Sequence, residues 1–281
     1  MELIINLFEK KITKIESIKK LSGGLTNDIY LINKKYIWKY FSNNDFLNHK
    51  NEKLVIQNLK NLSLYYSDDN NLCYNFIPGQ NISKEFYDDN LESIILLTKK
   101  YNNSKIETDH FWEKILINWI NKLPENNFTD KKELENYYNI INKKLSKFSN
   151  LDDDNVLCHH DVHSANILTS NDELNLIDLE FSFTNYYFVE LGNIICELDI
   201  DYSNEIYNFK HNRTKEKNNA LKFYLNSYSQ IEQEKLEIGI LISHLYWCVW
   251  GIYMNKINGS IEYDYLKFSK TRLEELKNLE F

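Results

Sequence analysis

At 281 residues with 43% hydrophobic content, the chain is long enough for one large domain or two lobes, and it can bury a sizeable core, which argues against disorder. Acidic residues outnumber basic ones by 41 to 33, for a net charge of −8, and no long Lys/Arg run stands alone. That balance disfavours binding nucleic acid or another polyanion as the main task, and it suits a small or cationic substrate.

The first ten residues, Met1 to Lys10, carry neither a basic leader nor a long apolar run, and read as part of a short amphipathic helix. Ile15 to Leu21, Asp28 to Ile32 and Tyr36 to Phe41 are short β-rich runs. The breaks Ser22-Gly23-Gly24 and Asn33-Lys34-Lys35 join them as an antiparallel meander. From about Asn48 to Asn61, the apolar positions Leu54, Val55, Leu59 and Leu62 fall at near-helical spacing, and then Leu62 to Tyr66 and Leu72 to Phe76 read again as strands. Phe76-Ile77-Pro78-Gly79-Gln80, which holds one of only two prolines, is the most marked break and the expected lobe boundary. Beyond it nearly everything is helical in pattern, except the strand-like runs Val156 to Cys158, Ile167 to Thr169 and Leu174 to Ile177. Asn43-Asn44 and Asn70-Asn71 read as exposed loops. The fold class expected is α+β, with a sheet-rich lobe over 1–77 and a mostly helical lobe over 78–281. No stretch reaches ~18 consecutive apolar residues, and Cys73, Cys158, Cys196 and Cys248 lie far apart without CxxC or metal-ligand spacing. A cytoplasmic protein with buried thiols and no membrane insertion is expected; nothing in the sequence fixes an oligomeric state.

The most specific signal is His159-His160-Asp161-Val162-His163-Ser164-Ala165-Asn166, followed twelve residues later by Asp178 in Leu176-Ile177-Asp178-Leu179-Glu180. Phosphoryl transfer needs a carboxylate to orient and deprotonate the attacking hydroxyl, and oxygen ligands for a Mg²⁺ ion on the nucleotide phosphates. Asp161 fits the first role, Asn166 and Asp178 the second, and Glu180 adds another carboxylate. His159 reads equally as a loop brace or a participant in proton transfer.

The stretches Cys158 to Leu168, Leu176 to Ser182, Asn185 to Tyr187 and Glu190 to Asn193 resemble the choline/ethanolamine kinases and their aminoglycoside-phosphotransferase relatives. The chain departs from the family pattern at Leu179, Phe181 and Glu190. The resemblance implies a protein-kinase-like fold of two lobes, with ATP and Mg²⁺ as cofactors and Asp161 as catalytic base. In the first lobe Leu21 to Asn27 resembles the phosphate-covering loop, which would bring Gly23, Gly24, Thr26 and Asn27 to the nucleotide, since glycine lets backbone N–H groups approach phosphate closely. Lys39 takes the position of the ATP-contacting cation, Glu52 on the next helix would pair with it, and Asn75 to Ile77 would offer backbone contacts to the adenine.

Near the C-terminus, Trp247 and Trp250 lie three residues apart on one helix face, with both rings expected to point the same way. Such stripes are usually core, but the resemblance implies a cage for a quaternary ammonium, which aromatic faces attract without hydrogen-bond donors. Tyr202 and the segment Ile261 to Tyr265 with Phe268 are further candidates. Glu190 and Glu197 would add negative potential beside a cationic head group, with Glu197 serving equally as a brace for its own helix. The function expected is transfer of the ATP γ-phosphoryl group to choline. The alternatives are ethanolamine or an aminoglycoside-type acceptor, or a kinase-shaped binding module without activity.

Overall fold

Side chains alternate across a strand, and Tyr36 to Phe41 is buried on both faces, with only Tyr40 exposed. The computed structural model describes residues 2–21, 27–41, 49–123, 129–171, 173–210, 212–258 and 263–279. In it this run is β3 of a five-stranded antiparallel sheet. The strands are β1 (Ile18–Lys20), β2 (Asn27–Ile32), β3 (Tyr36–Phe41), β4 (Leu64–Ser67) and β5 (Asn71–Asn75), in the order β1-β2-β3-β5-β4. Tyr36 and Trp38 on one face join Tyr30, Ile32 and Cys73 under Ile4 and Phe8 of α1 (Glu2–Lys11). On the alternate positions Lys39 meets Glu52 of α2 (His49–Asn58). The β2–β3 turn has positive φ at Asn33 and Lys34. Asn33 is locked there because its Oδ1 accepts the N–H groups of Glu16 and Ser17 and its Nδ2 donates to the Lys14 carbonyl, a role short amide side chains fill in turns.

Two of the expectations shift here. Leu54 lies at the surface, and the buried face of α2 is Asn51, Glu52, Val55 and Ile56, so the ion pair with Lys39 shares that face with Val55 and Ile56. Asn71 is a buried residue of β5 and not an exposed loop: its Oδ1 accepts the Trp38 indole N–H at 3.0 Å. Asn43 and Asn44 lie outside the described residues.

The chain folds as two compact units, Met1–Gln80 with Leu168–Ser182, and Asn81–Ile167 with Phe183–Phe281. The first therefore ends three residues beyond the expected boundary at 77, and it takes in a segment expected with the helical part. Leu168–Ser182 carries the strand Glu173–Leu176 and the tight turn Leu179–Phe181. Asp178 and Glu180 tie it to Lys39, which is why it packs with the sheet.

The second unit holds α3 (Lys84–Asp89), α4 (Leu91–Asn102), α5 (Ile117–Lys122), α6 (Lys131–Leu145), α7 (Tyr187–Glu197), α8 (Thr214–Leu225), α9 (Gln230–Asn258) and α10 (Tyr265–Leu279). The strands Asn155–Cys158 and Phe183–Tyr186 pair antiparallel, Cys158 opposite Phe183; Phe183–Tyr186 had no strand signal of its own. Every residue of α7 is buried, and it crosses α9 at Gly192 and Gly239, where a methyl on either would collide with the other helix's backbone. By length and composition α9 would pass for a membrane span, but 89% of its apolar window is buried in the fold, as in the core helix of a water-soluble domain. All four cysteines are buried and free.

Candidate active site

In the first unit, Lys39 is 1% exposed and its ammonium donates to three carboxylates: Glu52 Oε1 at 3.0 Å, Asp178 Oδ1 at 3.2 Å and Glu180 Oε2 at 2.8 Å. Burial alone would lower the Lys39 pKa, but Asp178, Glu180 and Glu52 outweigh it and hold it well above the ordinary value. Glu180 is pushed up to about 7 by burial, with Lys39 opposing and Asp178 and Glu52 adding to the rise. Burial likewise raises Glu52, against the pull of Lys39. Asn27 donates its side-chain N–H to Glu180 Oε2 at 2.6 Å. Asp178 sits at φ 60°, in the left-handed region that Asp enters more readily than bulkier residues, and this bend turns the chain out of its strand.

In the second unit, the loop after Cys158 is fixed from below by Glu190 of α7. Its Oε2 accepts the His159 N–H at 2.5 Å and its Oε1 the His160 N–H at 3.0 Å. Burial pushes the Glu190 carboxyl up to about 7, with those two N–H groups and Asn102 opposing. His160, at φ 63°, shares a hydrogen bond with Asn185 through Nε2 at 2.9 Å, and its carbonyl accepts the Tyr246 hydroxyl at 2.7 Å. With residues 159 and 160 locked, Asp161 is presented next. Its Oδ2 accepts Asn166 Nδ2 at 2.7 Å, its Oδ1 lies 3.6 Å from His163 Nε2, and its N–H donates to His159 Nδ1 at 3.3 Å. Burial would raise the Asp161 carboxyl, but His163, His159 and the Asn166 amide together hold it below the usual range.

From Asp161 a continuous run of contacts leads to the aromatic cluster. The His163 and Tyr202 rings are 5.1 Å apart, and the Tyr202 hydroxyl donates to Glu197 Oε2 at 2.9 Å. Glu197 Oε1 accepts Arg272 Nη2 at 3.1 Å, and the Arg272 guanidinium lies 5.1 Å over Phe268. Phe268 in turn touches both tryptophans, at 6.2 Å for Trp247 and 6.1 Å for Trp250. The tryptophan rings are 5.2 Å apart but perpendicular, at 88°, so they form a corner and not a parallel pair. Trp247 donates its indole N–H to Asn193 Oδ1 at 2.8 Å.

The residues expected at a site thus fall into three groups. Lys39, Glu52, Asp178, Glu180 and Asn27 come together in the first unit, and Asp161 and Asn166 in the second, where Glu197, Tyr202, Trp247 and Trp250 form the aromatic group. Glu190 is corrected: both its oxygens are spent on backbone N–H groups beneath the Asp161 loop. The Asn75 N–H bonds the Ser63 carbonyl within the sheet, so of the expected adenine contacts it is already used, and Ile77 lies half-buried beyond the strand. Gly23, Gly24, Thr26, Ile261 and Glu262 lie outside the described residues. Sequence reasoning missed His163, Asn193, Tyr246, His244 and Arg272. His163 stands in the same loop as Asp161, and Arg272 carried a signal of composition: it and Arg213 are the two arginines among 33 basic residues.

The donor set suits Mg²⁺. In the first unit Asp178 and Glu180 offer hard carboxylate oxygens; in the second, Asn166 spends its Nδ2 on Asp161, which leaves the amide oxygen as that side chain's remaining acceptor. Among the described residues no three His, Cys, Asp or Glu side chains are grouped as a metal cage. Mg²⁺ takes one or two carboxylates and completes its shell with substrate phosphates and water, so a full protein cage is not required.

Comparisons with known proteins point to one family. Residues 18–277 match the family described as Choline/ethanolamine kinase. A "Probable ethanolamine kinase A" from Dictyostelium discoideum is 29% identical over 92% of this chain and 84% of its own. The human "Choline/ethanolamine kinase" is 32% identical over 42% of this chain and 36% of its own length. In structure, a choline kinase from Cryptosporidium parvum aligns with a TM-score of 0.75 at 19% identity, covering 99% of this chain and 95% of that one. The choline kinase LicA from Streptococcus pneumoniae aligns at 0.71 and 19%, over 99% and 98%. A gentamicin complex of APH(2")-IIa aligns at 0.64 and 19%, over 98% and 96%. At these identities the structural likeness speaks for the fold, an α+β kinase-like one.

Proposed function

Because this chain belongs to the choline/ethanolamine kinase family and is therefore an ATP-dependent kinase acting on an alcohol, we propose that its acceptor is choline and its products phosphocholine and ADP. The observation that carries the choice is the acceptor-side cluster, in which Trp247 and Trp250 offer aromatic faces while both oxygens of Glu197 are engaged by Tyr202 and Arg272. A quaternary ammonium needs charge and aromatic faces but donates no hydrogen bond, so it loses nothing where carboxylate oxygens are already bonded.

In this reading Asp161 orients the choline hydroxyl and takes its proton as the oxygen attacks the γ-phosphorus. A carboxylate held below the usual range is ionised across the working pH, as a base must be. Lys39 steadies the α- and β-phosphates, positioned by Glu52. Asn166, Asp178 and Glu180 would hold Mg²⁺, and when bound this ion neutralises phosphate charge. Asn27 would stand beside the phosphates at the end of the expected covering loop, whose Gly23, Gly24 and Thr26 lie outside the described residues, and Ile77 with the Asn75 carbonyl would face the adenine, the Asn75 N–H being used within the sheet. Glu190 keeps the Asp161 loop in shape. A cytoplasmic setting, where ATP and Mg²⁺ are at hand, suits the reaction.

Ethanolamine is the second reading, favoured by the name of the D. discoideum relative. It needs hydrogen-bond acceptors for a primary ammonium. Mg²⁺-dependent ADP release measured with choline, ethanolamine and an aminoglycoside panel separates the readings. Choline should give the highest kcat/KM, and a higher value for ethanolamine reverses the assignment. Asp161→Ala should abolish turnover while ATP still binds; undiminished turnover in that variant removes Asp161 from the chemistry.

A further inference from the structure

Arg272 is fully buried, with its guanidinium sandwiched between the rings of Phe209 at 4.8 Å and Phe268 at 5.1 Å. Its Nη2 donates to Glu197 Oε1 at 3.1 Å, and its Nη1 lies 3.4 Å from His244 Nδ1. A planar cation that stacks on two rings while bonding along its edges is geometry only arginine offers, since an ammonium is a compact point charge. The chain uses arginine sparingly, at two positions among 33 basic residues. Both positions meet the C-terminal end of α7. Arg213 binds the Leu198 carbonyl and the Asp199 carboxylate, as Arg272 binds Glu197. At Arg213 the partners are capping groups past the helix end. At Arg272 the partner is the carboxylate that also accepts the Tyr202 hydroxyl, and the guanidinium itself reaches toward the tryptophan corner through Phe268.

We propose that Arg272 is a positioning residue for the acceptor: it holds Glu197 as an oriented, ionised carboxylate beside the aromatic cluster. The inference rests on the reading that this cluster receives a cationic head group. Glu197 is nearly fully buried, and the groups that face it are Arg272 from α10, Tyr202 from the segment after Ile200–Asp201, Tyr263 just ahead of α10, His163 and Asp161 from the catalytic loop, and Tyr87 from α3. Burial raises the Glu197 carboxyl, and of the groups opposing that rise Arg272 stands first, ahead of His163. Without the guanidinium the carboxyl would take up a proton, and a neutral acid offers a cationic acceptor no charge.

The test uses Arg272→Met, Arg272→Lys and the double variant Arg272→Met/Glu197→Gln in the full chain. In Arg272→Met the KM for the acceptor should rise tenfold or more while the KM for ATP stays within twofold. Its kcat/KM for the acceptor should fall more steeply than wild type as pH drops from 8 to 6, and Arg272→Lys should restore the wild-type pH profile without restoring the full affinity. A folded Arg272→Met enzyme with wild-type acceptor KM and wild-type pH profile overturns the proposal. Should the wild type phosphorylate neither choline nor ethanolamine, the functional reading fails, and melting curves still decide the role of Arg272. A buried carboxylate without its cation must ionise as pH rises, so Arg272→Met should lose more melting temperature at pH 8 than at pH 6, and Glu197→Gln in that background should recover most of the loss. Equal loss at both pH values with no recovery means that Arg272 is packing alone.

Discussion

Lys39 in the first unit and Arg272 in the second are both buried cations held by carboxylates, yet Lys39 faces three of them and Arg272 one. Around Lys39 the negative side is in surplus. Glu180 is driven to about 7, and a further cation or a pair of phosphates bridged by one would relieve the crowding. Around Arg272 the charges balance and two aromatic rings close over the pair. The difference teaches that a buried ion pair by itself says little about function. The excess or balance of charge around it tells whether the place is built to receive an ion or to hold one group still.

The contrast can be broken at Lys39 first. Lys39→Met should lower kcat by about 10²- to 10³-fold, the usual loss on removing one preorganised electrostatic contact, and steady-state kinetics would read it. It should also destabilise the fold by about 3–5 kcal/mol, because three carboxylates lose their cation in a buried place. A variant within threefold of wild-type kcat would show that the surplus cluster is structural. On the acceptor side, Trp250→Leu should raise the KM for choline by about tenfold, from a cation–π contribution of about 1–2 kcal/mol, and raise that for ethanolamine less. Equal effects on both acceptors would mean that the corner only packs. Mg²⁺ sharpens the comparison further. Added at about ten times its dissociation constant, it should stabilise the wild type by about 1.4 kcal/mol, read as a shift in Tm. Asp178→Asn should remove that response and Glu197→Gln should keep it.

A further effect, read as a pH dependence, concerns Glu190. Its folded carboxyl stands at about 7, above the ordinary ~4.3 of an unfolded chain. A group raised on folding contributes stability that is full below the unfolded value and is lost as pH rises through the folded one. The melting temperature should therefore decline between about pH 4.5 and 7 and level off above, and Glu190→Gln should flatten the decline. A wild-type profile that rises through this window would show that Glu190 is ionised throughout.

The strands of the first unit were legible because Asp28–Ile32 and Tyr36–Phe41 are short runs rich in Ile, Tyr and Trp on either side of a polar break, and Asn33 stands where the turn needs positive φ. Asp161, Asn166 and Asp178 were legible because the spacing of polar residues between apolar strands is written in the chain itself. What escaped was decided by tertiary partners. Nothing in the residue type distinguishes a Glu190 that faces a ligand from one that caps backbone N–H groups under a loop. Asn71 reads as loop until Trp38 brings it an indole N–H. Leu168–Ser182 falls in the first unit, where Asp178 and Glu180 pair with Lys39, and ion pairs between distant residues leave no local periodicity. Arg272 was visible as a rarity, but its role needed the two phenylalanine rings that flank it.

One consequence of the α7–α9 crossing concerns length. Glu190 and Glu197 stand two turns apart on α7, roughly 10 Å, and Gly192 seats this stretch directly on the α9 backbone. The helix therefore works as a ruler, with the support of the Asp161 loop at one mark and, at the other, the carboxylate held by Tyr202 and Arg272, where the proposed acceptor would bind. Neither mark can slide without parting two backbones. An acceptor with one more methylene between hydroxyl and nitrogen would find both ends fixed, and its misfit would fall on kcat more than on binding.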